Sequence, residues 1–274
     1  ILIAVGMAAG FAGLFQTPLA ATFFAIEVLV AGSMMYQALL PSLVGAYVAS
    51  YTSSFLGLEK FSVEIKDSVE FSIPFLGKLI LLGVIFGITG GGFAYGLGFA
   101  KKFFSKIIDN PIKKIIIMGS VLAIVFLLFH MGRYSGLGSN LIDASFSGGN
   151  VYMYDWILKF LLTILTLSAG YQGGELTPLF SIGAALGVVL ASLFGLPVMF
   201  VAALGYIAVF GSATNTLIAP ILIGAEVFGG EHIISFAVVC AIAYVFNGNI
   251  SIYGAQKQKE HSVNEKISKN KIKN

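Results

Sequence analysis

Charge is scarce in this chain: Asp, Glu, Lys and Arg together make up 11% of its 274 residues. A soluble domain carries about twice that share, because a water-facing surface is covered with ionised side chains. Cysteine is nearly absent. Cys240 stands alone in an apolar run, so neither a disulfide framework nor a cysteine-based metal site is available, and a small core residue is the simplest reading. His130, His232 and His261 are scattered without an HExxH spacing, which argues against a zinc hydrolase. No phosphate-loop or dinucleotide fingerprint occurs. The glycine-rich stretch GITGGGFAYGLG, Gly87 to Gly98, lies inside an apolar span, where close helix packing accounts for it better. No metal, cofactor or nucleic-acid partner is expected. A membrane-embedded enzyme finds no nucleophile paired with a base on which to stand.

What is present is apolar. Hydrophobic residues reach 57% and the mean hydropathy is +0.92, so the chain reads as an all-α integral membrane protein with the lipid bilayer as its solvent. Spanning a hydrocarbon core of roughly 30 Å takes about 20 apolar residues per helix. Candidate windows are Ile1 to Gly32, Leu39 to Leu58, Phe75 to Ala100, Ile112 to Met131, Trp156 to Ala169, and a run from Leu179 to Phe246 that must hold several helices. Gly and Pro cut many of them short, as in transporters built from discontinuous helices. Lysines cluster at 101, 102, 106, 113 and 114 and again in the tail from Ala255, whose six lysines and two glutamates give +4. The positive-inside rule puts both on the cytoplasmic side, with the tail read as a solvated end. The loop Glu59 to Glu70 is poor in lysine and is expected outside.

An internal repeat organises the chain. Gly6 to Val28 laid over Gly205 to Val227 at an offset of 199 matches Gly6/Gly205, Ala9/Ala208, Phe11/Phe210, Thr17/Thr216, Ala20/Ala219, Glu27/Glu226 and Val28/Val227. Threonine and glutamate in register inside apolar segments point to a duplicated membrane unit. In each copy a polar pair, Gln16-Thr17 or Asn215-Thr216, breaks the apolar stretch. Thr17 followed by Pro18 reads as a helix start, with the hydroxyl capping free N–H groups and proline at the first helical position. Broken helices at membrane depth are tolerated where they line a cavity or are buried in protein. Glu27 and Glu226 fall late in the half-helices and are expected to accept hydrogen bonds from nearby backbone.

The stretch YQGGELTPLF, Tyr171 to Phe180, is a third break. A helix from about Leu176 to Phe194 leaves the N–H groups of Glu175, Leu176 and Thr177 without intrahelical acceptors. With the positive end of the helix dipole they form an anion site. Glu175 is then either a simple helix cap or a proton-coupling carboxylate beside the anion. Tyr253, in NGNISIYGAQ, offers a phenolic donor, or else belongs to an interfacial aromatic belt.

On these residues the sequence resembles the CLC family of anion channels and anion/proton exchangers. GGELTP, Gly173 to Pro178, is similar to that family's GxFxP helix start; Ala8 to Val28 is similar to its AAAGLAAAFNAPLAG…IEE stretch; SIYGAQ, Ser251 to Gln256, is similar to the segment carrying its pore tyrosine. The resemblance implies a homodimer with one pore per subunit and an inverted repeat of broken, tilted helices. It also implies that the backbone amides of Glu175 and Leu176 and the hydroxyl of Tyr253 contact a permeating fluoride or chloride, and Gly174 and Thr177 complete the candidate anion site. Leu176 replaces the family's phenylalanine, Glu175 and Thr177 match the GEVTP form of the fluoride/proton antiporters, and Val28 stands at the second carboxylate of IEE. These departures favour fluoride/proton antiport in a plasma membrane. The alternatives are a chloride channel or chloride/proton exchanger, or a fragment without transport of its own.

The expected layout is the end of a first membrane repeat (1–58), an inter-repeat loop (59–74), a whole second repeat (75–254) and a basic cytoplasmic tail (255–274). The chain opens on Ile1 within an apolar run, without a start methionine or leader pattern, so an N-terminal portion carrying the gating segment is expected to be missing.

Overall fold

The structure is a computed structural model and describes residues 1–66, 69 and 72–258. Most of the basic tail, with His261, and positions 67, 68, 70 and 71 of the inter-repeat loop lie outside the described residues. The first apolar window folds as α1 (Leu2–Phe15) and α2 (Pro18–Glu27). Between them Gln16 adopts φ 52°, ψ 39°, a left-handed conformation that stops the helix and redirects the chain. At the repeat-related position, Asn215 adopts φ 56°, ψ 49° between α9 (Val198–Thr214) and α10 (Ile218–Phe228). The repeat in sequence is therefore a repeat in backbone conformation.

Between these pairs run α3 (Leu39–Phe55), α4 (Ile73–Ile107), α5 (Pro111–Leu128), α6 (Ser139–Ser147), α7 (Asp155–Ala169) and α8 (Leu176–Phe194), and α11 (Ile233–Val245) follows α10. Ser72 starts α4 by accepting the Phe75 N–H at 3.3 Å, and Asn110 starts α5 by accepting those of Ile112 and Lys113 at 2.9 and 3.2 Å. At about 1.5 Å per residue the 35 residues of α4 exceed a bilayer core of roughly 30 Å, so the helix tilts or carries its lysine-rich end beyond the hydrocarbon. The short helix α6 was not among the expected spans. Its Ser, Asn and Asp residues keep its hydropathy low, and packing against α8 gives it a buried face.

Burial separates centre from rim. In the most apolar window of α8, 67% of residues are buried, against 11% in α5, so α8 is a core helix and α5 turns apolar side chains outward as a lipid-facing helix does. Contact between α8 and α9 is backbone on backbone: a Cβ added to Gly183 would lie 2.1 Å from the Gly205 carbonyl oxygen. Along α4, Gly87 lies against Ala243 of α11 and Gly90 against Val209 and Ser212 of α9, while a Cβ at Gly92 would meet nothing within 4 Å. Rings tie the two repeats together, with Phe24 of α2 5.5 Å from Phe210 of α9 and Phe15 of α1 5.5 Å from Phe180 of α8.

The helical fold carries one small addition. Val30–Ala31 (β1) pairs in parallel with Lys257–Gln258 (β2), Lys257 donating its N–H to the Leu29 carbonyl at 3.2 Å. The beginning of the basic tail was expected to be a solvated end. Instead it is docked at the end of α2, because the Gln256 amide donates to the carbonyls of Val28 and Thr214 at 2.9 and 3.1 Å.

Candidate anion site at a broken helix

Three helices start at a break in an apolar stretch: α2, α10 and α8. The first two are closed by carboxylates from across the repeat. Glu27, buried at the end of α2, accepts the Leu217 N–H at 2.6 Å, that of Ile218 at 3.1 Å with each oxygen, and that of Ala219 at 3.0 Å. Glu226, near the end of α10, accepts the N–H groups of Leu19 at 3.2 Å and Ala20 at 2.8 Å. At the offset of 199, Leu19 and Ala20 correspond to Ile218 and Ala219, and Leu217 to Pro18, which has no N–H to give. Each half-helix thus presents its terminal carboxylate to the positive end of the other, where charge-assisted bonds to backbone N–H are at their strongest.

This arrangement corrects the expected role of Thr17. Its hydroxyl makes no cap bond and is buried without a partner among the described residues. Thr17 sits at φ −121°, ψ 74°, and the donors it would have served already face the Glu226 carboxylate, a stronger acceptor than a hydroxyl. Thr216 does not cap either: its hydroxyl lies 2.8 Å from that of Thr214. Asn215 serves the break differently. Its side-chain NH2 donates to Asn249 at 3.1 Å and to Gln256 at 3.2 Å, while its side-chain oxygen accepts from Asn247 at 2.8 Å. Four amide side chains therefore hold the segment that carries Tyr253 against the α9–α10 break.

At the start of α8 no side chain among the described residues closes the helix. Glu175 occupies the N-cap position at φ −84°, ψ −22° and makes no cap bond, which departs from its reading as a simple cap. Its carboxylate instead faces Lys101, with Oε1 3.4 Å from Nζ. The two side chains are 21% and 47% exposed, and an ion pair so open to solvent contributes about 0–1 kcal/mol. It is a weak tether. A Cβ at Gly173 would meet nothing within 4 Å, and one at Gly174 only Leu137 at 4.0 Å, so space remains beside the helix start. A cavity of about 330 Å³, lined by Lys101, Lys114, Tyr171, Gln172, Gly173 and Glu175, opens there. Leu176 and Thr177 are half-buried and Pro178 is buried, so the helix passes within one turn from the open mouth into the core.

Tyr253 is half-buried, lies within electrostatic reach of Glu175 and has its ring 6.4 Å from Phe24. Its hydroxyl hydrogen-bonds to no described residue. The fold thus brings Tyr253 toward the start of α8 from a segment 78 positions further along the chain, whereas Thr17, Glu27, Thr216 and Glu226 belong to the reciprocal caps and their breaks. Sequence reading missed Lys159, buried in α7, and the amide side chains of Asn247, Asn249 and Gln256. A lone lysine within an apolar window was the available signal for the first.

Residues 1–248 match the family described as Voltage gated chloride channel. The chain is 35% identical over 263 residues to the chloride/fluoride channel protein of Pseudomonas syringae pv. tomato, covering 94% of this chain and 58% of that protein. It is 26% identical over 265 residues to the H(+)/Cl(-) exchange transporter ClcA of Vibrio cholerae, covering 89% of this chain and 55% of the relative. Among solved structures, a CLC-type fluoride/proton antiporter superposes with a TM-score of 0.93 at 55% identity, covering 94% of this chain and 65% of that one. The chain therefore spans little more than half the length of these curated relatives. The broken-helix repeat, the helix start at GGELTP and this match over nearly all of the chain agree: the protein belongs to the voltage gated chloride channel family, the CLC family, and is a multi-pass membrane protein of that all-helical fold.

Proposed function

We propose that this chain forms the larger part of a fluoride/proton antiporter, with the anion held by the backbone amides of Glu175, Leu176 and Thr177 at the start of α8, beside Gly174, and by the Tyr253 hydroxyl. One observation carries the reading: of the three broken-helix starts, α8 is the one across whose first N–H groups no carboxylate lies among the described residues. An anion takes the place there that Glu27 and Glu226 take at α10 and α2. Glu175 supplies the proton-sensitive element. Ionised, it repels an anion at the neighbouring amides and is drawn to Lys101; protonated, it loses both interactions and the amides favour the anion. The weak tether allows that exchange at little cost.

The nearness of the fluoride/proton antiporter structure supports fluoride over chloride. The more distant ClcA relative keeps a chloride/proton exchanger as the second reading. The layout that goes with this function is the one set out from the sequence: 1–58 ends a first repeat, 59–74 links, 75–254 forms the second repeat and 255–274 is cytoplasmic, in a homodimer of the plasma membrane. The test is Glu175→Gln in the reconstituted full-length protein, followed with a fluoride electrode and a pH dye. Fluoride flux that persists while proton movement falls at least tenfold is expected. Unchanged coupling would return Glu175 to a role in shaping the helix start.

A further inference from the structure

Lys159 has no part in the site above. It is 1% exposed, and its ammonium donates to the carbonyls of Tyr134 at 3.0 Å and Gly136 at 2.7 Å. Two backbone carbonyls take two of its three N–H bonds and bring no net charge. The nearest carboxylate along the helix, Asp155 one turn earlier in α7, is taken up by Arg133 at 2.7 Å, by the Tyr134 hydroxyl at 2.6 Å and by the Tyr152 N–H at 2.9 Å. Among the described residues no carboxylate pairs with Lys159. A buried cation in low-dielectric surroundings is costly until an opposite charge meets it.

Space for that charge is present. Tyr134, Gly136 and Lys159, the residues of this contact, all line a cavity of about 230 Å³ whose wall also includes Thr163, Gln172 and Gly174. With one water taking roughly 30 Å³ of liquid volume, it accommodates one small anion and several waters. Thr163 is buried, and its hydroxyl hydrogen-bonds to no described residue. Ser181 of α8 is fully buried, and its hydroxyl also lacks a partner among the described residues. Gly138, at φ +84°, faces both groups: a Cβ there would lie 2.6 Å from Ser181 Oγ and 2.7 Å from Lys159 Cε. Glycine is what lets this turn pack so closely on Lys159, since a side chain there would collide with both residues.

We infer that the cavity beside Lys159 is a second anion site, binding one small halide next to the Lys101 cavity, with which it shares Leu167, Gln172 and Gly173 as walls. Its donors are the lysine ammonium, the Thr163 hydroxyl and the Gln172 amide. It rests on the transport reading for which halide arrives and on Lys159 for where it binds. Crystals of the full-length protein soaked in bromide, with anomalous scattering recorded at the bromine edge, test it. A peak within contact of the lysine ammonium is expected in the parent, an equivalent peak at the guanidinium in Lys159→Arg, and none in Lys159→Gln. Thr163→Val, which leaves the lysine in place, is expected to lower the peak occupancy at least twofold should Lys159→Gln fail to fold. No peak in the parent, a peak that survives in Lys159→Gln, or a cavity filled by the protein's own side chains would overturn the inference. Flux measured on the same preparations separates the two proposals: bromide at Lys159 without any anion transport removes the transport reading alone, and transport with an empty cavity removes this one alone.

Discussion

At the scale of single residues, Glu27 and Glu226 show how a carboxylate inside an apolar chain serves the fold. Both close a half-helix of the opposite repeat, and they do so unequally, Glu27 over three N–H groups and Glu226 over two. Hydrogen bonds to a charged acceptor contribute about 1.5–3 kcal/mol net, and a buried donor left unmet costs about 1–3 kcal/mol. Glu27→Ala is therefore expected to lower the thermal unfolding midpoint in detergent more than Glu226→Ala does. Equal midpoints for the two variants would count against the unequal caps. The register of these glutamates was legible from the repeat. Their partners were not, since no local pattern tells a carboxylate at the end of one half-helix that the amides it meets lie 190 to 207 positions away. Thr17 was misread for the same reason: Thr-Pro is a good helix start locally, but the competing acceptor arrives from elsewhere in the chain.

At the scale of elements, the glycines of α4 separate packing from propensity. Gly90 is pressed against the Val209 carbonyl, where an added Cβ would lie 2.5 Å away, and Gly92 faces open space. Forcing a methyl into a filled contact costs about 1–3 kcal/mol, while replacing an uncrowded helical glycine by alanine gains up to about 1 kcal/mol. Gly90→Ala is expected to reduce thermal stability and Gly92→Ala to leave it unchanged or raise it, as read by unfolding of the full-length protein. Loss of stability in both would point to a neighbour at Gly92 beyond the described residues. Most elements could be read from hydropathy and breaks, and α8 covers Leu176–Phe194, the bounds expected from the break at GGELTP. α6 could not be, because a nine-residue helix of mixed polarity carries no spanning signal. The docking of Gln256 and Lys257 depends on carbonyls at Val28, Leu29 and Thr214, which become available only after α2 and α9 have ended.

At the scale of the whole molecule, the two repeats exchange carboxylates and share one core, and the third broken helix starts without a side-chain cap among the described residues, at a glutamate that faces Lys101. That the molecule is a membrane protein of broken helices followed from its shortage of charge and its interrupted apolar runs. The residues meeting at α8 were readable as motifs, while their assembly with Lys101 and the Lys159 cavity required the fold. The central claim is that α8 presents an anion site whose occupancy is linked to protons. The most direct measurement uses the full-length protein in liposomes loaded with fluoride or chloride, recording anion efflux with an electrode and internal pH with a dye. The account predicts fluoride efflux that draws protons inward and a much smaller chloride flux. Equal fluoride and chloride efflux with no change of internal pH would contradict it.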